Sequence, residues 1–305
     1  MIDFNGGPVT GDLDVHWIHG VPRKQAETDP LLQVHRYDDN TYILRQSLTV
    51  THEAPFLFLL FGNDRCLLLD TGATDDAERF PLRTTVDTLI ESWLSEHPRE
   101  EYELVVAHSH AHGDHVAGDV QFEDRPNTRV VGKALDAVQS FFGFTDWPSE
   151  EVSFDLGGRR LELIGIPGHH ATSLAIFDPW TGILLTGDTV YPGRLYGFDM
   201  PAYVDSMGRL VAFAEQRSVT HVMGCHIEMT RKPGRDYPLG AQYQPNEPPL
   251  QMTLSQLRAV RDAVRKFENR PGFHTLDDFI IVSGMQRRTL FRMLIRARLH
   301  RLLRR

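Results

Sequence analysis

The sequence predicts an α+β protein in which mixed β-sheets are covered by helices. Strand-like and helix-like segments alternate only loosely along the 305 residues, and turn signals at residues 62–64 and 178–182 join neighbouring strands into hairpins. A doubly wound parallel sheet would instead need a helical crossover between successive strands. We therefore expect two mixed sheets with helices outside them.

The expected strands are short apolar runs bounded by Gly, Pro, Asn and Asp. They cover residues 42–44, 56–61, 66–70, 104–107, 129–131, 161–164, 174–177 and 183–185, and a further apolar strand precedes His226. Residues before Pro30 are rich in Gly, Pro and Asp, so we expect an irregular lead-in there.

Two helices are predicted from apolar residues at helical spacing. The first covers residues 78–96, with Val86, Leu89, Ile90, Trp93 and Leu94 on one face, and the second covers residues 253–268. The run Phe279–Val282 fits either a strand or the start of another helix.

The C-terminal segment is strongly basic, in contrast to the acidic remainder of the chain. Residues 287–305 contain eight arginines and no acidic residue. The formal net charge of the whole chain is −9, so the residues before this segment together carry −17. Arginines alternate with apolar residues, which predicts a basic amphipathic helix. An edge helix with a solvated basic face, or a helix docked on a partner subunit, is favoured over a surface for acidic lipids or RNA. The acidic body argues against nucleic acid as a general partner.

The sequence also predicts the cellular location of the protein and the state of its two cysteines. No apolar run reaches the roughly 18 residues that span a bilayer, and the N-terminus lacks a basic start and an apolar stretch, so we expect a cytoplasmic protein without a membrane span. Cys66 and Cys225 each lie beside a predicted strand and are expected to be buried free thiols. Cys225 directly precedes His226, but we assign it no catalytic role.

The most informative stretch is the HxHxDH motif at residues 110–115, directly after the predicted strand 104–107. It places three imidazoles and one carboxylate within six residues, and these are the side chains that bind zinc. A structural loop would gain little from crowded imidazoles that repel once protonated. Further histidines and a carboxylate follow later strands, giving seven potential ligands: His110, His112, Asp114, His115, His169, Asp188 and His226.

These motifs together resemble the metallo-β-lactamase superfamily. The order is LLLDTG at 67–72, HxHxDH at 110–115, PGHxxxS at 167–173, TGDT at 186–189 and then a late histidine. The resemblance covers roughly residues 40 to 230. It implies a four-layer αββα sandwich, with a catalytic domain in residues 1–250 and a C-terminal helical extension in residues 251–305.

The resemblance also implies a ligand set. His110, His112 and His169 would bind one metal ion, Asp114, His115 and His226 would bind the other, and Asp188 would bridge the two. A shared anionic ligand offsets the repulsion between neighbouring cations. We expect two Zn²⁺ per chain, with iron or manganese tolerated by the same ligands, and a bridging hydroxide as the nucleophile.

Several residues near the ligand set also have expected roles. Asp114 would orient the hydroxide as well as bind metal, and Asp70 is a candidate acceptor for a ligand histidine. Tyr191 lies three residues after Asp188, as in lactone-cleaving members of the family, where a tyrosine helps to polarise the substrate carbonyl; a packing role is the alternative. His108 is either a support for the site or a polar residue at a strand end. His170 would line the entrance, or would exchange roles with its neighbour His169.

The expected function is a dinuclear metal-dependent hydrolase that cleaves an ester, thioester or lactone of a small molecule. An iron-dependent oxidoreductase resembling persulfide dioxygenases is an alternative, but its mononuclear site would not need Asp114, His115 and His226. A phosphodiesterase or a β-lactamase is a further alternative. A basic pocket of Arg231, Lys232 and Arg235 would suit hydroxyacylglutathione.

Substrate choice is expected to reside in loops, at residues 192–210 and 230–250. The second of these loops would face the substrate or contact a second subunit, and a passive crossing of the surface is the alternative. A homodimer would form through that loop or through the C-terminal extension.

Overall fold

The computed structural model describes residues 1–22, 25, 28–284, 291, 293–295 and 297–298. Within them, one sheet has six strands in the order β1-β2-β3-β4-β5-β6 and a second has five in the order β12-β10-β9-β8-β7. The strands of the first sheet are β1 (Leu32–Asp38), β2 (Thr41–Gln46), β3 (Phe56–Phe61), β4 (Arg65–Leu69), β5 (Glu103–Ala107) and β6 (Thr128–Val130). Those of the second are β7 (Glu151–Asp155), β8 (Arg160–Gly165), β9 (Leu174–Asp178), β10 (Ile183–Gly187) and β12 (His221–Gly224).

A small third sheet and five helices complete the described elements. The third sheet has the order β11-β14-β13, with β11 (Arg194–Gly197), β13 (Gly272–Thr275) and β14 (Ile280–Ser283). The helices are α1 (Leu82–Glu96), α2 (Gly113–Val116), α3 (Leu135–Phe142), α4 (Met200–Glu215) and α5 (Leu254–Phe267), and a short 3₁₀ turn covers Ala117–Gln121.

The alternation of side chains along each strand produces four layers. In β3, Phe58 and Leu60 point into a core shared with the second sheet, whereas Leu57 and Leu59 point to the opposite face. This two-sided burial explains why β3 reads as an unbroken apolar run.

Helices cover both outer faces. Trp93 and its neighbours on α1 pack on the outer face of the first sheet, while α4 and α5 cover the outer face of the second sheet through residues such as Leu210 and Val260. The layer order is therefore helix, sheet, sheet, helix, as the αββα expectation requires.

Strand direction brings one end of several strands together. Strands β4, β5 and β6 are parallel, so the segments after β4 and β5 leave the first sheet at the same edge. In the second sheet β8 and β10 are each antiparallel to β9, and β12 is parallel to β10. The segments after β8, β10 and β12 therefore also leave at a common edge, and side chains from both sheets can converge there.

The predicted strands and the two predicted helices are present, with boundaries shifted by a few residues. The hairpin at Asn63-Asp64 is confirmed, because β3 and β4 pair as far as Phe61 and Cys66. The first helix begins later than predicted, at Leu82, after Pro81. Residues 1–22 contain no helix or strand, as expected for the lead-in.

The expectation of a loop over residues 192–210 is wrong. The segment contains β11 and the start of α4, and Asp199 caps the helix by accepting the Ala202 N–H at 3.1 Å. Pro201 and Gly208 obscured the helix in the sequence. A proline in the first helical turn lacks only an N–H that would be unsatisfied there, and Tyr203, Met207 and Leu210 keep helical spacing on the buried face.

The segment after residue 250 is built into the second sheet and its helical cover. Met252 pairs with Val222 of β12, and α5 packs on α4 in one apolar core. Phe279–Val282 forms a strand rather than a helix, since β14 pairs in parallel with β11. A domain boundary near residue 250 stays a prediction.

Part of the predicted basic helix is described. Phe291, Met293 to Ile295, Ala297 and Arg298 are helical, and the remainder of residues 285–305 lies outside the described part of the chain. Within the described residues, no helix combines the length and the hydropathy needed to cross a bilayer.

Candidate metal site

The seven candidate ligands lie together at the shared edge of the two sheets. The motif at 110–115 follows β5, His169 lies in the loop between β8 and β9, Asp188 follows β10, and His226 follows β12. The rigid strands thus fix the backbone from which each side chain projects. The side chains form two groups of closely spaced potential ligand atoms.

The first group consists of His110, His112 and His169. Nδ1 of His112 lies 2.9 Å from Nε2 of His110 and 3.0 Å from Nε2 of His169. Burial lowers the pKa of His169 to about 4 and holds the pKa of His110 well below its usual value. These imidazoles are therefore neutral near pH 7, and neutral imidazole is the form that binds a metal ion.

The second group consists of Asp114, His115, Asp188 and His226. Nε2 of His226 lies 3.3 Å from Oδ1 of Asp188 and 3.4 Å from both Oδ2 of Asp114 and Nε2 of His115. Nε2 of His115 lies 3.5 Å from each of the two carboxylates. Tetrahedral Zn²⁺ with bonds of about 2.0–2.1 Å places neighbouring ligand atoms about 3.3 Å apart. The donor atoms and their spacing therefore fit a divalent metal ion.

The charges of the second group also favour binding of a metal cation. Burial disfavours a charge on His115, but the Asp70 and Asp188 carboxylates outweigh it and hold the pKa of His115 well above its usual value. Burial likewise opposes ionisation of Asp188, yet His226 and His115 hold the pKa of that carboxyl well below its usual value. The carboxylates of Asp70, Asp114 and Asp188 surround the two imidazoles and form a site that attracts cations.

Asp188 connects the two groups. Its Oδ1 belongs to the second group, and its Oδ2 lies 3.8 Å from Nε2 of His169 in the first. Oδ1 is buried and has no hydrogen-bond partner among the described residues. A buried carboxylate oxygen without a donor is costly, and a bound cation would remove that cost.

Hydrogen bonds orient the histidines. Asp70 accepts from the Ser109 N–H at 2.7 Å, from the Ser109 hydroxyl at 2.9 Å and from the Cys225 thiol at 3.2 Å. It also lies 2.9 Å from Nδ1 of His115, which directs Nε2 of that ring toward the second group. Asp70 has φ +70°, an uncommon conformation for a residue other than glycine, held here by a fully buried network.

Main-chain carbonyls orient two further rings. Nδ1 of His226 donates to the Glu53 carbonyl at 2.8 Å, and Nδ1 of His169 donates to the Tyr196 carbonyl at 3.1 Å. In both rings Nε2 is left with the lone pair that a metal needs. Glu53 and Tyr196 could not be identified from the sequence, because any residue supplies a carbonyl. Ser109 was identifiable only by its position inside the motif.

Tyr191 is placed close to the site but is already hydrogen-bonded. Its ring centroid lies 5.6 Å from that of His226, whereas its hydroxyl lies 2.6 Å from the Arg194 carbonyl and 3.1 Å from the Glu228 carboxylate. The side chain is 2% exposed. This geometry favours the packing alternative, and the catalytic role of Tyr191 stays a prediction.

The two histidines with open roles lie outside both groups. His108 is buried and its Nε2 lies 2.8 Å from Oδ1 of Asp119. His170 is half-buried beside His112, and its Nδ1 accepts from the Thr172 N–H at 3.2 Å. His169, as expected, is the member of the adjacent pair that joins the first group.

The thiols agree with the sequence expectation. Cys66 and Cys225 are both free and buried, and burial raises the pKa of the Cys66 thiol to about 12. Cys225 contacts Asp70 but belongs to neither of the two groups that Asp188 connects.

Two buried arginines attach residues 228–250 to the scaffold. Arg45 of β2 makes two hydrogen bonds of 2.6 Å with Glu247. Arg194 of β11 contacts Glu228, and it contacts Asp236 at 2.8 Å. Arg231 lines a separate cavity together with His16 and Trp17 of the lead-in.

The αββα layers and a cluster of histidines and carboxylates at the sheet edge define the class of fold and site that the sequence motifs predicted. The metallo-β-lactamase superfamily model matches residues 53–206, about half of the chain. The chain belongs to this superfamily.

Sequence relatives include several proteins named hydroxyacylglutathione hydrolase. That of Mesorhizobium japonicum is 26% identical over 171 residues, which cover 55% of this chain and 62% of the relative. That of Pseudomonas savastanoi pv. phaseolicola is 30% identical over 131 residues, covering 39% of this chain and 46% of the relative. That of Methylococcus capsulatus is 25% identical over 194 residues, covering 63% and 69%. The chain thus spans less than two thirds of the length of the first two.

Solved structures support the fold. A metallo-β-lactamase from Erythrobacter litoralis matches with a TM-score of 0.51 and 15% identity, covering 78% of this chain and 98% of that one. The DIM-1 metallo-β-lactamase matches with a TM-score of 0.50 and 14% identity, covering 77% and 98%. At such identities the likeness concerns the fold alone.

Proposed function

We propose that this protein is a dinuclear metal-dependent hydrolase that cleaves a carbonyl ester, thioester or lactone of a small molecule. In this proposal His110, His112 and His169 hold one ion, Asp114, His115 and His226 hold the other, and Asp188 bridges them. Zn²⁺ is the expected metal because imidazole and carboxylate donors at tetrahedral spacing suit it.

The position of Asp188 is the observation that carries the proposal. One of its oxygens lies within 3.5 Å of two imidazoles of the second group, and the other faces His169 of the first. The buried Oδ1 has no hydrogen-bond donor among the residues described. A carboxylate that divides its two oxygens between two ligand groups in this way is suited to a pair of cations.

Two divalent ions at such a site would act as Lewis acids on the substrate carbonyl. They would also lower the pKa of a bound water, so that hydroxide is present at neutral pH. The protein's own contribution is to hold the geometry. Asp70 and the Glu53 carbonyl fix the orientations of His115 and His226. Asp114 is partly exposed and is the carboxylate of the second group nearest to solvent. It would orient the hydroxide as well as bind metal.

A thioester is the first substrate class to test. The named sequence relatives are hydroxyacylglutathione hydrolases, and glutathione conjugates of that kind are thioesters. Arg231, Lys232 and Arg235 are exposed, and Arg231 faces a cavity shared with the lead-in rather than a cavity lined by the candidate ligands. A non-glutathione thioester and a simple ester therefore belong in the same panel.

The experiment is a turnover panel with protein loaded with Zn²⁺, Mn²⁺ or Fe²⁺. The panel contains an acyl thioester, an aryl ester, a lactone, a phosphodiester and a β-lactam. Wild-type protein should hydrolyse at least one of the first three. Asp188→Asn should lose that activity by about 100-fold or more, since loss of the carboxylate charge weakens the binding of both metal ions. Asp136→Asn, an exposed carboxylate on α3, is the matched control and should keep full activity.

Other outcomes would overturn the proposal. Hydrolysis confined to the phosphodiester or the β-lactam would reject the substrate class, and Asp188→Asn with wild-type activity would reject the dinuclear mechanism. The protein is also tested for persulfide oxidation. If the iron-loaded protein oxidises a persulfide and hydrolyses nothing in the panel, the hydrolase proposal is wrong and the oxidoreductase alternative is supported.

A further inference from the structure

Phe198 is an exposed aromatic residue beside the candidate metal site. It follows β11 directly and is 55% exposed. Its ring centroid lies 5.5 Å from that of His169 and 6.1 Å from that of His112. The other large exposed hydrophobic residues of the described chain have no ring contact with the ligand groups; they are Met1, Leu31, Val34, Val120, Phe291, Leu294 and Ile295.

The neighbour of Phe198 is also aromatic. The rings of Tyr196 and Phe198 stack with an interplanar angle of 9° and centroids 5.9 Å apart. The Tyr196 hydroxyl lies 3.2 Å from Nε of the buried Arg194, which fixes the ring on which Phe198 rests. The pair forms a continuous apolar surface, here called the aromatic wall, next to the first ligand group.

The backbone under the wall is fixed at several points. The Tyr196 carbonyl accepts from Nδ1 of His169 at 3.1 Å. On the other side of Phe198, the Asp199 N–H donates to the Gly168 carbonyl at 2.9 Å, and the Asp199 side chain caps α4. The wall and His169 are therefore held by the same segment, so the distance between the wall and the metal ligands is set by the fold rather than by a free loop.

His170 adds a polar ring beside the first ligand group. The His170 ring lies 4.8 Å from that of His112, and its Nδ1 accepts from the Thr172 N–H. That bond leaves a proton on Nε2, so this ring presents a polar edge. His112 thus has both an apolar neighbour, Phe198, and a polar neighbour, His170.

We propose that Phe198 and Tyr196 bind the apolar part of the substrate, so that the protein selects acyl groups of about four or more carbons, or aromatic acyl groups, over acetyl. This inference rests on the proposed hydrolase function and names the substrate class within it. A lone exposed phenylalanine is ordinary on a protein surface. This one is stacked on a fixed tyrosine and faces two candidate ligands, so an acyl chain attached to a carbonyl at the site would cover it.

The test compares acetyl, butyryl and hexanoyl thioesters of one thiol. Wild-type kcat/KM should rise with acyl length, by about two- to threefold per methylene on a surface that is open on one side. Phe198→Ala should lower the ratio of hexanoyl to acetyl kcat/KM by about tenfold. Phe198→Leu should retain most of the preference because it restores apolar area.

Controls separate binding from structure. Val34→Ala removes an exposed apolar side chain from β1, at the far edge of the first sheet, and should change neither the ratio nor the metal content. Phe198→Ala should also keep wild-type metal content. An equal loss of activity for all three thioesters would assign Phe198 a purely structural role, and an unchanged ratio would reject the wall as a binding surface.

Ligand binding tests the aromatic wall without requiring the protein to hydrolyse a substrate. Binding of acetate, butyrate and hexanoate to the metal-loaded protein, measured by calorimetry, should tighten with length in the wild type and lose that trend in Phe198→Ala. If no thioester, ester or lactone is hydrolysed but the trend is present, the hydrolase function fails while the apolar site stands. If none of the three carboxylates binds, or if length has no effect in the wild type, the aromatic wall is rejected.

Discussion

Oδ2 of Asp70 lies 2.9 Å from Nδ1 of His115, and both side chains are fully buried. Asp70 comes from the end of β4 and His115 from the motif after β5, so the contact joins two adjacent parallel strands at the edge where the candidate ligands converge. The carboxylate fixes which ring nitrogen of His115 carries the proton and aims the other at the second ligand group.

Asp70→Asn should therefore weaken metal binding. An outer partner of a ligand histidine typically contributes 10- to 100-fold in metal affinity, so we expect a loss of about that size, measured by competition with a chromogenic chelator. Asp119→Asn is the control, because Asp119 contacts the buried His108 at 2.8 Å and that histidine belongs to neither ligand group. Equal losses in the two variants would mean that Asp70 acts through general stability instead.

The adjacent histidines offer a matched pair. Nε2 of His169 lies 3.0 Å from Nδ1 of His112, whereas Nδ1 of His170 is engaged with Thr172. His169→Gln should remove about one metal ion per chain, and His170→Gln should leave the metal content unchanged. Elemental analysis of both variants, purified side by side, makes the comparison. The reverse result would show that the two residues exchange roles in solution.

Tyr191→Phe should have a small kinetic effect. The hydroxyl is 2.6 Å from the Arg194 carbonyl, so its loss should cost about 1 kcal/mol in the free energy of unfolding and less than about threefold in kcat/KM. Denaturant unfolding and steady-state kinetics on the best substrate measure the two quantities. A fall of about 100-fold or more in kcat, typical of a lost oxyanion donor, would instead establish the catalytic role predicted from the sequence.

The ion pair between Arg45 and Glu247 should stabilise the packing of residues 230–250. Their side chains are 2% and 7% exposed, and breaking a buried pair from one side leaves an uncompensated charge. Glu247→Gln should lower the free energy of unfolding by about 3 kcal/mol. The exposed pair Arg258–Glu215, at 46% and 42%, supplies the control: Glu215→Gln should change stability by less than about 1 kcal/mol. Similar values for the two variants would contradict this account.

The strands could be predicted for a physical reason, whereas the grouping of the ligands was implied by a family resemblance. Buried strands such as β3 and β5 are nearly pure apolar runs, and the polar residues that follow them stand out from their surroundings. The run at 110–115 and the later His169, Asp188 and His226 are candidate ligands because each follows such a strand, and their assignment to two metal ions is what the metallo-β-lactamase resemblance implies.

The remaining features depend on contacts that composition does not encode. Helix α4 was missed because Pro201 and Gly208 resemble loop residues. The engagement of the Tyr191 hydroxyl depends on where the Arg194 carbonyl lies, and the exposure of Phe198 depends on how α4 leaves β11. Such details follow from three-dimensional packing between distant segments, which local patterns do not determine.

The most direct test of the account is the number of metal ions bound per chain, measured by native mass spectrometry on protein loaded with a modest excess of Zn²⁺. We expect two ions in the wild type and at most one in Asp188→Asn, because that carboxylate divides its oxygens between the two ligand groups. Wild-type protein that binds a single ion under these conditions, or Asp188→Asn that binds two as tightly as the wild type, would contradict it.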